Sequence, residues 1–223
     1  MSLHLYSTVF PEPLSPTAFQ RLLSRLPAPM QKKILAYRRW QDAYASLFGK
    51  LLLEKALLQA GLSADLTDLR VTEYGRPYLD GYSSPYTEGG ADFNISHSGN
   101  RVVCILSTLG RVGIDLEENN DIAIEDFQSQ FTVTEWAAIT GAVIPLQAFY
   151  HYWTAKESLI KADGKGLQIP LNSLEVGNQP SVVVNGQHWY IRDLPIFPNY
   201  ACHVACEYPI GPVTTKEIGT DRF

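Results

Sequence analysis

Two long helix-patterned segments, each followed by short alternating strands, constrain this fold more than any other feature of the 223 residues. "LHLYSTV" alternates and predicts a first strand. From Ala28 to Gly61 the pattern is helical, basic in "QKKILAYRR" and strongly apolar in "ASLFGKLLLEKALLQAG", with Gly61 as its stop. "LRVTEYGRPYL" predicts a strand entering a Gly-Arg-Pro turn, "DGYSSPYTEGGA" a loop, and "DFNISHS" and "RVVCILST" two strands joined around Gly99-Asn100. A second cycle begins with "RVGIDLE". Polar "ENNDIAIED" leads into short helices, with Thr132 or Thr134 as an N-cap, and a long helix runs roughly from Leu146 to Asp163. Two apolar runs split by Asn185-Gly186 predict a hairpin, "YACHVACEY" a last strand, and the remaining residues a tail. No strict repeat is present. The order strand, long helix, strands, then strand, helices, strands nevertheless predicts an α+β fold of two similar halves, 1–109 and 110–223.

Charge narrows the partners. The net charge is −5 and no long basic tract occurs, which argues against a protein that tracks phosphate backbones, so no nucleic-acid partner is expected. No segment has the apolar length to span a bilayer, and "MSLHLYSTVFPEPL" lacks a basic stretch followed by a sustained apolar run. The expectation is a cytoplasmic protein with no membrane contact. Cys104, Cys202 and Cys206 are odd in number and form no CxxC pair, so buried core thiols in a reducing compartment are expected.

Several residues could carry chemistry. On a strand, Asp115 and Glu117 of "VGIDLEE" point to one side while Val112, Ile114 and Leu116 point to the other. Paired carboxylates repel, and a hard divalent cation such as Mg²⁺ relieves that repulsion; a bare Asp-x-Glu is also a common polar surface. On the long helix, Phe149, Tyr152, Trp153, Leu159 and Ile160 gather into one arc at about 100° per residue, and Lys156 falls inside it. Either its stem snorkels over the core or its ammonium has a function. Glu157 and Lys161 sit together on the flank, as a site pair or as a surface i,i+4 pair. "ADGKGL" places glycines around a lysine at the helix end, for close backbone approach or simply to stop the helix. His97 of "FNISHSG" suits a phosphate or a satisfied core position, and Arg76 of "YGRPYL" a phosphate or the surface. No G-x-S-x-G, Walker A or G-x-G-x-x-G pattern occurs. Acids, separate cations, glycines and one histidine together suit metal-assisted phosphoryl-type transfer.

In this order, "YGRP", "FNISHSG", "VGIDLE" and "WTAKESLIKADGKGL" resemble the Sfp-type 4′-phosphopantetheinyl transferases, from the basic helix to Leu167. The resemblance implies a pseudo-twofold α+β fold with the active site in the cleft between its halves. The first half would contribute to coenzyme A binding and the second would carry the metal and catalytic motifs. It implies transfer of the phosphopantetheine arm of coenzyme A to a serine of an apo acyl or peptidyl carrier protein, releasing 3′,5′-ADP, with Mg²⁺ or Mn²⁺. Asp115, Glu117 and Glu157 would be the metal ligands and Glu157 the general base, directly or through water. Lys161 and His97 would contact coenzyme A phosphates, with Lys156 beside the site. Tyr74, Gly75, Arg76 and Pro77 would line the adenine end, with Ile95 and Ser96 nearby. Lys32 would approach the 3′-phosphate.

Ala45 stands where this family usually has a basic residue, and Lys32, Lys33 or Lys50 would compensate. Two fused halves imply a working monomer. The carrier could serve fatty-acid, polyketide or nonribosomal-peptide synthesis, with a basic rim including Arg38 or Arg39 meeting its acidic surface. The competing readings are a metal-dependent phosphohydrolase or nuclease, and a non-catalytic module that binds carrier proteins.

Overall fold

The computed structural model describes residues 3–81, 91–108, 110–177 and 180–223; most of the "DGYSSPYTEGGA" loop lies outside them. In chain order the elements are β1 (Leu3–Val9), α1 (Pro16–Leu23), α2 (Ala28–Leu35), α3 (Trp40–Gln59), β2 (Leu69–Val71), β3 (Pro77–Leu79), β4 (Asp92–Ser98) and β5 (Arg101–Ser107). The second half continues with β6 (Val112–Glu118), α4 (Val133–Thr140), α5 (Pro145–Asp163), β7 (Ser181–Val184), β8 (Gln187–Asp193), β9 (Tyr200–Cys206) and β10 (Val213–Glu217). One four-stranded sheet has the order β10-β1-β5-β4, a second has the order β6-β9-β8-β7, and β2-β3 is a small hairpin.

The α+β reading holds, with three differences. The helical pattern from Ala28 to Gly61 is two helices. Of α2 only Ile34 is buried, and Ala36 to Arg39 are exposed, so no apolar face carries the axis through to α3. An additional helix, α1, starts at Pro16, where Ser15 accepts the amide N–H of Ala18 at 3.2 Å. The expected tail is a strand. β10 runs parallel to β1, from Leu3 beside Val213 to Ser7 beside Glu217, and so completes the first sheet across the 1–109/110–223 division. Ile218 pins it, buried in the core of the first half, with its carbonyl accepting the Thr8 hydroxyl at 2.7 Å.

Residue alternation sorts the core into layers. Tyr6, Val102, Cys104 and Leu106 face α3. Leu3, Leu5, Val103 and Ile105 face the other way and meet Ile114, Leu116, Cys202 and Val204 of the second sheet. β5 is therefore covered on both faces, which is why "VVCIL" is continuously apolar. Ala205 and Trp189 turn to the far side, where Leu159, Ile160 and Ala162 of α5 cover them. The succession is helix, sheet, sheet, helix. All three cysteines are buried and free, as expected for core thiols.

The two sheets join where β4 lies beside β6, and there side chains replace a backbone ladder. Asp92, Asn94, Ser96 and Ser98 accept the amide N–H groups of Val112, Ile114, Leu116 and Glu118 at 2.9, 2.9, 3.3 and 3.0 Å. Each donor is twenty residues beyond its acceptor, so two strands advance in step. On the opposite face of β6, Gly113 lets α5 rest on the strand backbone. A Cβ there would stand 2.1 Å from the Ser158 carbonyl oxygen and 2.4 Å from the Ala162 nitrogen.

Asp92 also forms a buried pair with Arg76 at 2.5 Å. Removing one partner of a buried pair leaves the other charge uncompensated, at about 3–5 kcal/mol. Asp92→Ala is therefore expected to lower the Tm by about 6–20 °C, read by calorimetry, because it strands both the guanidinium and the Val112 N–H.

Candidate active site

The seam that joins the halves also sets out a group of charges. Alternation along β6 turns Asp115 and Glu117 away from the apolar layer formed by Val112, Ile114 and Leu116. α5, seated on Gly113, brings Lys161 to the same face, where its Nζ lies 2.6 Å from Asp115 Oδ1. From β4, Ser96 donates to the same oxygen at 3.1 Å and also meets Lys161 Nζ at 3.0 Å. Ser98 donates to Glu117 Oε2 at 2.8 Å. Burial pushes the Glu117 carboxyl up to about 7, with Asp115 and Glu157 adding to the rise and Ser98 and Lys161 opposing it. Burial and the neighbouring Asp115 also raise Glu157. Desolvation would lower the Lys161 ammonium, but attraction from Asp115, Glu157 and Glu117 overrides it and the pKa rises.

Asp115 is the centre of the group. It is 3% exposed, and although Oδ1 is engaged, Oδ2 is buried with no hydrogen-bond partner among the described residues. An orphaned carboxylate oxygen beside two further carboxylates of raised pKa is the donor set of a hard divalent cation, so the residues fit Mg²⁺.

Two recesses adjoin this group. One, of about 250 Å³, is lined by Tyr74, Gly75, Arg76, Pro77, Asn94, Ile95, Ile160, Lys161, Gly164 and Gly166. The other, of about 310 Å³, is lined by Tyr37, Asp42, Ala45, Ser46, Gly49, Lys50, Pro77, Ile95 and His97. Pro77 and Ile95 belong to both, so the recesses meet there. Gly164 closes α5 in the left-handed conformation, φ 88°, and a Cβ there would meet Arg76 Cδ at 2.6 Å. The glycine therefore both stops the helix and admits the arginine. In the second recess burial pushes Lys50 down to about 8, and repulsion from Lys33 adds to the fall. Burial is also the main cause lowering His97, followed by Lys161.

The structure thus brings together Asp115, Glu117, Glu157 and Lys161, with Tyr74 to Pro77, Ile95 and His97 around the recesses. It does not bring in Lys156. That ammonium is wholly buried, 2.6 Å from Glu135 Oε2, and it donates to the carbonyls of Leu171, Leu174 and Gln130 at 2.8, 2.8 and 3.3 Å. Glu135 is the second member of a capping box with Thr132 at the start of α4, and its Oε1 accepts the Val176 N–H at 2.9 Å. Lys156 therefore ties α5 to α4 and to the segment that follows α5, and the expected place beside coenzyme A gives way to an internal one. Its pKa is lowered by burial, with Glu135 opposing.

Arg76 lines a recess, but it has committed four of its five N–H groups, to both Asp92 oxygens and to the carbonyls of Val112 and Lys161. Its guanidinium is a brace, not an open phosphate contact. Ser96 faces Asp115, opposite to Ile95, and so lies away from the expected adenine end. Lys32 is exposed on the last turn of α2 and lines neither recess. Ser98 and Gly113 were not singled out from the sequence. The alternation of "DFNISHS" already placed Asp92, Asn94, Ser96 and Ser98 on one side, which was the available signal.

Comparison of the sequence with known proteins points to one family. A model described as the 4′-phosphopantetheinyl transferase superfamily matches residues 111–206. One described as 4′-phosphopantetheinyl transferase, N-terminal, matches residues 12–108. The chain is 30% identical over 218 residues to the 4′-phosphopantetheinyl transferase Sfp of Bacillus subtilis, covering 93% of this chain and 94% of that one. It is 34% identical over 200 residues to the 4′-phosphopantetheinyl transferase gsp of Aneurinibacillus migulanus, covering 86% and 81%. It is 28% identical over 179 residues to an L-aminoadipate-semialdehyde dehydrogenase-phosphopantetheinyl transferase of Schizosaccharomyces pombe, covering 73% and 68%. Among the described residues no helix is long and apolar enough to cross a membrane.

Two variants probe these electrostatics. Below its ordinary value of 4.5, Glu117 is protonated whether folded or unfolded and costs nothing. Between 4.5 and about 7 only the folded state keeps the proton, so stability falls as pH rises, and it levels off above 7. Glu117→Gln is expected to raise the Tm of metal-free protein by about 2–6 °C at pH 8 and to lose most of that gain by pH 5, followed by calorimetry. Lys156→Met strands buried Glu135 and is expected to lower the Tm by about 6–20 °C. The KM for coenzyme A of the protein that remains folded should not change; a selective rise in that KM would restore the lysine to the site.

Proposed function

The chain belongs to the 4′-phosphopantetheinyl transferase family, and from that premise we propose that Asp115, Glu117, Glu157, Lys161 and His97 are its working groups. The enzyme transfers the phosphopantetheine arm of coenzyme A to a carrier protein. The observation that carries the site assignment is the orphaned Oδ2 of buried Asp115, beside two carboxylates of raised pKa and at the edge of a recess lined by Lys161.

Asp115, Glu117 and Glu157 would hold the divalent cation, Mg²⁺ or Mn²⁺. When bound, that ion would withdraw negative charge from the diphosphate of coenzyme A. The serine oxygen of the carrier attacks the phosphorus that bears the pantetheine arm, and the bond from that phosphorus to the bridging oxygen breaks. The products are the phosphoserine-linked arm and 3′,5′-ADP, which keeps the bridging oxygen. The serine proton goes to Glu157, directly or through water; its raised pKa improves it as an acceptor near neutral pH. Lys161, kept cationic by Asp115, stabilises charge on the departing diphosphate oxygen. The nucleophile comes from the partner, so the chain needs no activated serine of its own.

The recess lined by Tyr74, Gly75 and Pro77 suits the adenine, with Arg76 bracing its wall. The recess lined by His97 and Lys50 suits the 3′-phosphate, and it includes Ala45. Lys50, in the same recess, supplies cationic charge that Ala45 does not. Binding an anion there would restore the proton affinity that burial takes from Lys50. Arg38 and Arg39 are exposed and suit the acidic surface of a carrier protein, and the enzyme would act as a monomer in the cytoplasm.

Mass spectrometry of apo carrier proteins incubated with enzyme, Mg²⁺ and coenzyme A tests the assignment. Asp115→Ala is expected to slow modification by about a hundredfold or more. Lys50→Ala is expected to raise the KM for coenzyme A about tenfold and to leave that for 3′-dephospho-coenzyme A nearly unchanged. Equal effects on both substrates would remove Lys50 from the 3′-phosphate.

A further inference from the structure

The sheet face under α5 carries a cluster of potential metal ligands outside the groups assigned to the transfer reaction. His151 of α5, Asp193 at the end of β8 and His203 of β9 each bring a ligand atom within 4.8 Å of the other two. Asp193 and His203 are direct partners in the antiparallel register, so both project from one face. α5 lies on that face, and the His151 and His203 rings stand 4.5 Å apart between centroids at 80° to one another.

The hydrogen bonds around His203 prepare one of its nitrogens. The Thr154 hydroxyl has a single proton, which it gives to the carbonyls of Tyr150 and His151 at 2.8 and 3.3 Å. Its oxygen lies 2.8 Å from His203 Nδ1, and with the hydroxyl proton on those carbonyls this contact favours the tautomer with Nδ1–H and the lone pair on Nε2. An imidazole whose second nitrogen donates to a fixed acceptor is the usual arrangement of a metal-bound histidine. His203 is buried and held, whereas His151 and Asp193 are exposed and can turn by a rotamer to close the remaining distance.

We propose that His151, Asp193 and His203 form a Zn²⁺ site distinct from the carboxylates of the catalytic group. Two imidazoles and one carboxylate match zinc, whose bonds to such ligands are about 2.0–2.2 Å, and they leave a fourth position for water on the exposed side. Magnesium, which demands oxygen ligands, is poorly matched. His151 precedes Glu157 by six residues, about 9 Å along the helix axis, while His203 is the register partner of Asp115 as well as of Asp193, so the two sites are neighbours on one sheet face that share no ligand. An ion there would clamp the first half of α5 onto β8 and β9, and so fasten the helix that carries Glu157 and Lys161.

The test uses full-length, tag-free protein stripped with chelator and titrated with Zn²⁺ by calorimetry, with thermal unfolding followed in parallel. The variants are His151→Ala and Asp193→Asn, neither of which belongs to the transfer machinery, and Glu157→Gln. The expected result is one equivalent of Zn²⁺ at this site and a Tm rise of about 5–10 °C at a hundredfold excess over Kd. His151→Ala and Asp193→Asn should each weaken that binding at least tenfold and abolish the rise, with the metal-free Tm and Mg²⁺-dependent carrier modification unchanged. Glu157→Gln should keep the rise. No zinc binding to the wild type, binding indifferent to His151→Ala and Asp193→Asn, or binding lost only in Glu157→Gln would overturn the proposal.

Discussion

Everything in this molecule is organised around the seam where β4 and β6 lie side by side. A backbone ladder would have fused the two sheets into one continuous sheet. Instead the side chains of Asp92, Asn94, Ser96 and Ser98 reach across to the β6 amides, which spaces the strands apart while satisfying the donors. Because those acceptors are polar, the junction is a polar line between apolar layers, and the group of charges around Asp115 lies along it. Ser96 and Ser98 each act twice: their oxygens accept a β6 amide, and their protons go to Asp115 and Glu117. The same groups thus set the register between the halves and orient two acids.

The site consequently inherits its accuracy from elements that have no chemistry of their own. Gly113 fixes how closely α5 approaches β6, and so how near Lys161 comes to Asp115. The Lys156–Glu135 pair fixes the opposite side of the same helix. Arg76 joins Asp92 on β4 to the Val112 carbonyl on β6 and the Lys161 carbonyl on α5, so one guanidinium ties three elements at the end of the cleft. Buried ion pairs are weak contributors to net stability but costly to break, which suits parts whose task is to hold a geometry.

Much of this was legible in the sequence. The Asn185-Gly186 turn has φ of 50° and 81° at its two residues, as such a hairpin requires. An N-cap at Thr132 or Thr134, of which Thr132 is the one used, the long helix ending at Asp163 and the facing of Asp115 with Glu117 followed from local periodicity and capping. What escaped depends on distant partners. β10 reads "VTTKE", with little apolar alternation, and becomes a strand because β1 offers it an unpaired edge. Lys156 lies on an apolar arc in either reading, and only Glu135, twenty-one residues earlier, decides between a cleft and a buried staple. Arg76 looked available because neither nearby acid, Glu73 or Asp80, is its partner; that partner, Asp92, lies beyond the following loop.

The parallel pairing of β10 with β1 reaches further than its few hydrogen bonds suggest. Thr8 and Ile218 are 210 residues apart, so the first sheet is finished by the far end of the polypeptide. Closing so large a loop costs only modest extra entropy, since that cost grows with the logarithm of length, but contacts of this separation raise the contact order and so slow folding. The two-lobed shape therefore hides a single cooperative unit: severing the chain at its middle would leave the leading lobe with an unsealed margin, and neither fragment would carry the full set of strands it uses.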